Sequence, residues 1–175
     1  MKNRFSGILP TGLGLILLIT ASACIANSTA FSQSKLDKDT TMIEHAKGTF
    51  EVKVVPQSEP EKAPGATLSR MSIDKEFHGD LEATSKGEML SAMTDVKGSA
   101  GYVAIERVTG TLQGRSGSFV LQHNATMTRG TPQLNIIVVP DSGTGQLSGI
   151  SGSMKINIAD GKHSYEFDYS LAPQH

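Results

Sequence analysis

"AGYVAIERVTGTLQGRSGSFVLQHNATMT", Ala100 to Thr128, decides the fold. On either side of Gln113-Gly114 the apolar residues recur at every second position, the period of a pleated strand whose successive side chains point to opposite faces. In the second half Phe119, Leu121, Ala125 and Met127 share one side with His123, while Val120, Gln122, Asn124, Thr126 and Thr128 share the other. In the first half Val103 and Ile105 run with Arg107, and Tyr102, Ala104 and Val108 run with Glu106, so either parity turns one charge toward an interior. A two-residue turn at Gln113-Gly114 sets Val108 opposite Phe119, Glu106 opposite Leu121 and Ala104 opposite His123. A longer loop from Gly114 to Gly117 would set Val108 opposite His123 and leave the parity unchanged. In both registers Glu106 and His123 are diagonal neighbours on one face, within reach of a hydrogen bond or of one water.

The same period extends in both directions. "TFEVKVV" (Thr49 to Val55) reads as a strand, and "SEPEKAPG" (Ser58 to Gly65) as a loop, because its prolines and nearby Pro56 exclude a central strand. Further strands are expected at Thr67–Phe77, Asp80–Met93, Ala100–Leu112, Ser116–Thr128, Gln133–Val139, Gly152–Ile158 and His163–Leu171. The last separates Tyr165, Phe167, Tyr169 and Leu171 from Ser164, Glu166, Asp168 and Ser170, a half-buried pattern. Short glycine-bearing separators join them: His78-Gly79, Lys97-Gly98, Gln113-Gly114, Arg129-Gly130, Asp141-Ser142-Gly143 and Asp160-Gly161. The fold class is therefore all-β, about eight antiparallel strands in a meander, which closure into a barrel or sandwich would free of exposed edges. One segment reads two ways: "KGEMLSAM" (Lys86 to Met93) also suits a short helix, being rich in helix formers apart from Gly87 and Ser91.

With 175 residues there is room for one domain, and 16 Lys plus Arg against 17 Asp plus Glu leave no basic field for nucleic acid. Residues 1–23 read as a signal peptide: Lys2 and Arg4 precede the apolar stretch Thr11 to Ala23, whose apolar centre, Leu13 to Ile19, is too short to span a bilayer and which closes on small residues. Ala21-Ser22-Ala23 suits ordinary signal peptidase, but "ASAC" also resembles a bacterial lipobox, with Ala21 where leucine is usual. In that resemblance Cys24, the only cysteine, becomes a lipidated N-terminus and the sole membrane attachment of a periplasmic or membrane-anchored protein. A lone cysteine excludes an internal disulfide. The polar segment 24–47 reads as a flexible tether and residues 48–172 as the β-barrel domain.

The paired charges Glu106 and His123 are the candidates for chemistry. If Glu106 and His123 face a lumen, burial raises the acid's pKa and a protonated imidazole lowers it, so the pair suits general acid/base work as well as a plain structural hydrogen bond. Tyr102, Val108, Phe119 and Leu121 share the lumen-facing parity and are the candidate ligand contacts. His45, His78, His123, His163 and His175 have no metal-ligand spacing, so no metal and no cofactor are expected. "GRSGS" and "GISGS" place Ser118 and Ser153 where a nucleophile elbow needs glycine. Arg70, Arg107, Arg115 and Arg129 read as solvated surface rather than anion grips. "VVPDSGTGQLSGISGSM" (Val138 to Met154) lacks the third glycine of a dinucleotide fingerprint, the G-K-[ST] of a P-loop and the helix that both require; it reads as a tight connection between strands.

"DSGTGQLSGISGSMKI" resembles the glycine-bearing strand-turn-strand of allene oxide cyclases and dirigent proteins. With "GDLEATSKGEML" and "GYVAIERVTGTLQGRSGSFVLQH", it is similar to a family of small bacterial proteins known only as a domain of unknown function. The resemblance covers Gly48 to Leu171 and implies an allene-oxide-cyclase-like barrel. It implies no activity, and no residue matches the plant enzymes' catalytic positions, although those barrels hold apolar small molecules. Three functions stay open: a barrel binding a small apolar or amphipathic molecule, an isomerase or cyclase using Glu106 and His123, or a filled, non-catalytic envelope module that associates as a homo-oligomer through one barrel face. An open lumen favours the first two and a packed one the third.

Overall fold

The computed structural model describes residues 42–172; the leader, Cys24 and most of the expected tether lie outside them. Nine strands follow in order: β1 Glu44–Pro56, β2 Glu61–Ala63, β3 Ala66–Gly79, β4 Leu81–Thr94, β5 Ala100–Leu112, β6 Arg115–Thr128, β7 Thr131–Val138, β8 Ile150–Ala159 and β9 Lys162–Leu171. Eight of them close an antiparallel barrel. Closure falls to β1, which pairs with β9 from Glu44↔Tyr169 to Phe50↔His163 and with β3 from Gly48↔Gly79 to Pro56↔Met71. The ninth, β2, pairs only with the first residues of β3 beyond the end of β1. It lies inside the proline-bearing loop, where Pro60 and Pro64 confine pairing to three residues at an edge.

Local chemistry accounts for the meander. Gln113-Gly114, Arg129-Gly130 and Asp160-Gly161 have positive φ at both positions, the geometry of the two-residue hairpin whose twist matches that of its strands. The turn at Gln113-Gly114 fixes the first of the two registers: Val108 faces Phe119, Glu106 faces Leu121 and Ala104 faces His123. One open alternative is settled and one boundary is corrected. Lys86–Met93 belongs to the expected strand and not to the alternative helix, because β4 is paired with both β3 and β5 from Ala83 to Met93, and that pairing outweighs local helix preference. The first strand begins at Glu44 rather than Thr49, so residues 44–47, which show no apolar alternation, are held by β9.

The connection from β7 to β8 is longer than a tight turn. Residues 139–149 include one 3-10 turn, Gly145–Leu147, and only Ile137↔Ser153 joins the two flanking strands. The loop instead supplies partners to the half of β6 that β7 does not reach. The amides of Ser116, Ser118 and Val120 donate to Gln146 Oε1 (2.9 Å), Thr144 Oγ1 (3.0 Å) and Ser142 Oγ (3.0 Å). Gly117 permits this approach: a Cβ there would stand 2.1 Å from the Thr144 carbonyl oxygen. Leu147 is buried and caps that end.

That end of the lumen is filled. Phe77, Leu81, Val108, Leu112, Phe119, Leu121, Phe167 and Tyr169 form one apolar cluster, with Phe119, Phe167 and Tyr169 stacked at centroid separations of 5.5 and 5.3 Å. Each fully buried aromatic contributes roughly 2–3 kcal/mol relative to exposure. The opposite end is not filled.

Candidate functional site

Four neighbouring strands bring a polar group into the lumen where the packed half stops. Glu106 (β5) and His123 (β6) point inward on one face, as the alternation requires, and His123 Nε2 stands 2.9 Å from Glu106 Oε2. Two residues that sequence reasoning missed complete the group. Lys75 from β3 donates from Nζ to the same Oε2 at 2.7 Å, and Ser85 from β4 donates a short hydrogen bond to Oε1. Lys75 faces Ser85 across the strands, and Glu106 faces Gly87, where a Cβ would stand 2.6 Å from the Ile105 carbonyl oxygen and 2.9 Å from Glu106 Cα. Lys75 was legible in principle, since Met71, Ile73, Lys75 and Phe77 share one parity. Ser85 left no comparable signal.

The group is desolvated. Glu106 is 0 %, His123 2 % and Lys75 7 % exposed. Burial alone would raise the Glu106 carboxyl, but the imidazole of His123, the charge and hydrogen bond of Lys75 and the Ser85 hydroxyl outweigh it and bring the pKa to about 2. The carboxylate is thus ionised, paired with a Lys75 ammonium that also lies 5.2 Å from the Phe50 ring centroid and 5.6 Å from that of Phe77. His123 is less well served. Despite the 2.9 Å separation its Nε2–H is not aligned as a hydrogen bond, so a buried nitrogen remains unsatisfied.

On the unfilled side of this group lies a cavity of about 210 Å³. Lys75 and His123 reach its floor, and Glu106 does not; Phe50, Ile73, Met89 and Ile156 line its walls, with Tyr102 and His163 as further polar members. Of the expected ligand contacts, Tyr102 therefore lines the cavity, whereas Val108, Phe119 and Leu121 are fully buried in the packed cluster on the other side. Burial, and then the negative charge of Glu106, raise the Tyr102 phenol. A wider groove of about 660 Å³ crosses Leu68, Arg70, Leu90 and Val103 on the barrel's outside and also touches Tyr102, but neither Lys75, Glu106 nor His123 lines it.

Three of the remaining candidate residues have structural partners. Ser118 bonds to Thr144, Arg70 pairs with Glu88 and Arg115 with Glu44. Among the described residues no three His, Cys, Asp or Glu side chains are grouped to hold a metal, and no helix is long and apolar enough to cross a membrane.

Comparison with known proteins identifies the lineage of this barrel. The family described as "Protein of unknown function (DUF3224)" matches residues 46–169. The chain belongs to the DUF3224 family. A crystal structure of a DUF3224 protein of unknown function from Shewanella oneidensis MR-1 is 52% identical, covers 75% of this chain and 100% of its own, and superposes with a TM-score of 0.71. No curated protein matches the chain. The DUF3224 assignment thus fixes descent and fold, and function has to be argued from the lumen.

Proposed function

We propose that this DUF3224 protein is an exported barrel that binds a small apolar or amphipathic molecule in the open half of its lumen. One observation carries the reading: the interior is packed at the end capped by Leu147, yet stops at a buried polar floor beneath an apolar-walled cavity. Small barrels either fill their interiors or hold one ligand, and this one does each in one half. Binding without turnover fits better than isomerisation, because a carboxylate held at about 2 is a poor proton acceptor near neutral pH. Export and acylation of Cys24 belong to the same proposal and rest on the leader pattern alone. The outward-facing apolar neighbours Leu90 and Val103 support association through one barrel face.

The test is native mass spectrometry of the protein purified from its natural host, together with titration of an environment-sensitive apolar dye. A bound small molecule, or one dye per barrel displaced by Ile156→Trp, supports the reading. Absence of both overturns it. Mass analysis of the mature N-terminus tests acylation separately.

A further inference from the structure

Resting on that reading of the lumen, we infer that the ligand is an amphipathic monocarboxylate that enters head first, and that His123 takes up a proton as it binds. The arrangement of charge carries the inference. The only carboxylate of the network, Glu106, lies behind its partners, and the groups that meet a guest on the floor are the Lys75 ammonium and the His123 imidazole. A guest therefore encounters donors. With His123 neutral, Lys75 and Glu106 balance; with His123 protonated, the buried group carries an uncompensated positive charge, which a desolvated site disfavours. An incoming carboxylate removes that penalty and supplies the unsatisfied imidazole with a charged partner, giving two cations and two anions.

No neighbouring strand supplies a competing anion to the cavity. Lys75 from β3, Tyr102 from β5 and His163 from β9 share the cavity with His123, Glu106 lies 2.9 Å from its Nε2, and its direct partners are Ala104 on β5 and Ile136 on β7. The walls select the rest of the ligand. At a water's share of about 30 Å³, the cavity takes about seven non-hydrogen atoms, enough for a carboxylate and a short chain. A longer chain would continue along Leu134 and Ile158, which line the cavity and are 43 % and 64 % exposed.

Calorimetric titration of the full chain with octanoate and with octanol, in two buffers of different ionisation enthalpy, tests this. Octanoate is expected to bind at least about tenfold more tightly than octanol, with about one proton taken up per site, and its affinity to fall as pH rises. His123→Gln is expected to abolish proton uptake and lower octanoate affinity about tenfold, so that the preference for octanoate over octanol shrinks. Octanol binding as well as octanoate, or octanoate binding without proton uptake in the unaltered protein, overturns the inference and leaves the lumen as a site for neutral apolar molecules. If neither probe binds and no co-purified molecule is found, the binding reading falls with it.

Discussion

Lys75 reaches across β4 to place its ammonium 2.7 Å from the Glu106 carboxylate, inside the barrel and away from solvent. Two charges in that position are costly to bury and costlier to separate. Lys75→Met is expected to lower unfolding stability by about 3–5 kcal/mol, since it strands a buried carboxylate. Adding Glu106→Leu should restore most of the loss. Urea denaturation of the two single variants and the double variant checks the coupling; a Lys75→Met loss below about 1 kcal/mol would contradict it.

The same pair predicts acid sensitivity. The folded-state pKa of Glu106 is depressed from 4.5 to about 2, so its contribution is fully present above the unfolded value and disappears as pH falls from 4.5 to about 2. The depression corresponds to about 3 kcal/mol. Urea midpoints measured across that window should fall, and Glu106→Gln, less stable at neutral pH, should show a shallower decline. Parallel declines would place the sensitivity elsewhere.

The loop between β7 and β8 stands in for a strand along the first half of β6. In Gly117→Ala a methyl group would meet the Thr144 carbonyl, which must withdraw. A loss of about 1–3 kcal/mol is expected. Hydrogen exchange should accelerate at the amides of Ser116, Ser118 and Val120, whose acceptors the loop provides, and not at Asn124, paired with Asn135 of β7. Uniform exchange across β6 would show that the loop is not the local support.

Alternation and turn chemistry made most of the barrel legible, because each is a property of neighbouring residues. Gln113-Gly114 fixed a register, and that register placed Glu106 beside His123. What escaped depended on distant pairing. Nothing local in "EHAK" announces that Glu44 to Lys47 are held by β9. The helix formers of Lys86 to Met93 left a helix open beside the strand reading, and pairing with β3 and β5 decides between them. Ser85 joins the site because the register of β3 and β4 sets it opposite Lys75, and its own alternation marks no polar role. The division of the lumen was hidden for the same reason: Tyr102 and Val108 share a parity, but their heights along the barrel put one on the cavity and the other in the packed end.

The chain has three tyrosines, of which Tyr165 and Tyr169 are buried and Tyr102 half-buried, which predicts an unusual alkaline titration. Burial raises Tyr102, with help from Glu106. Burial also raises Tyr165, against the Leu81 amide that donates to its oxygen at 2.9 Å. Tyr169 is pushed up to about 12 by burial and by Glu44, which accepts its hydroxyl at 3.0 Å, with Arg115 opposing. Folded-state phenols above their unfolded value of 10.0 stabilise the barrel below that pH and lose this contribution as pH rises toward 12. Ultraviolet absorbance should therefore show no phenolate step near pH 10 in the native protein, and three tyrosines ionising together in urea. Tyr169→Phe should leave the native trace unchanged near pH 10 and accelerate exchange at the start of β1, where Glu44 and Gln113 lose a shared partner. A native step near pH 10 equal to one tyrosine would mean that one of these rings lies open to water.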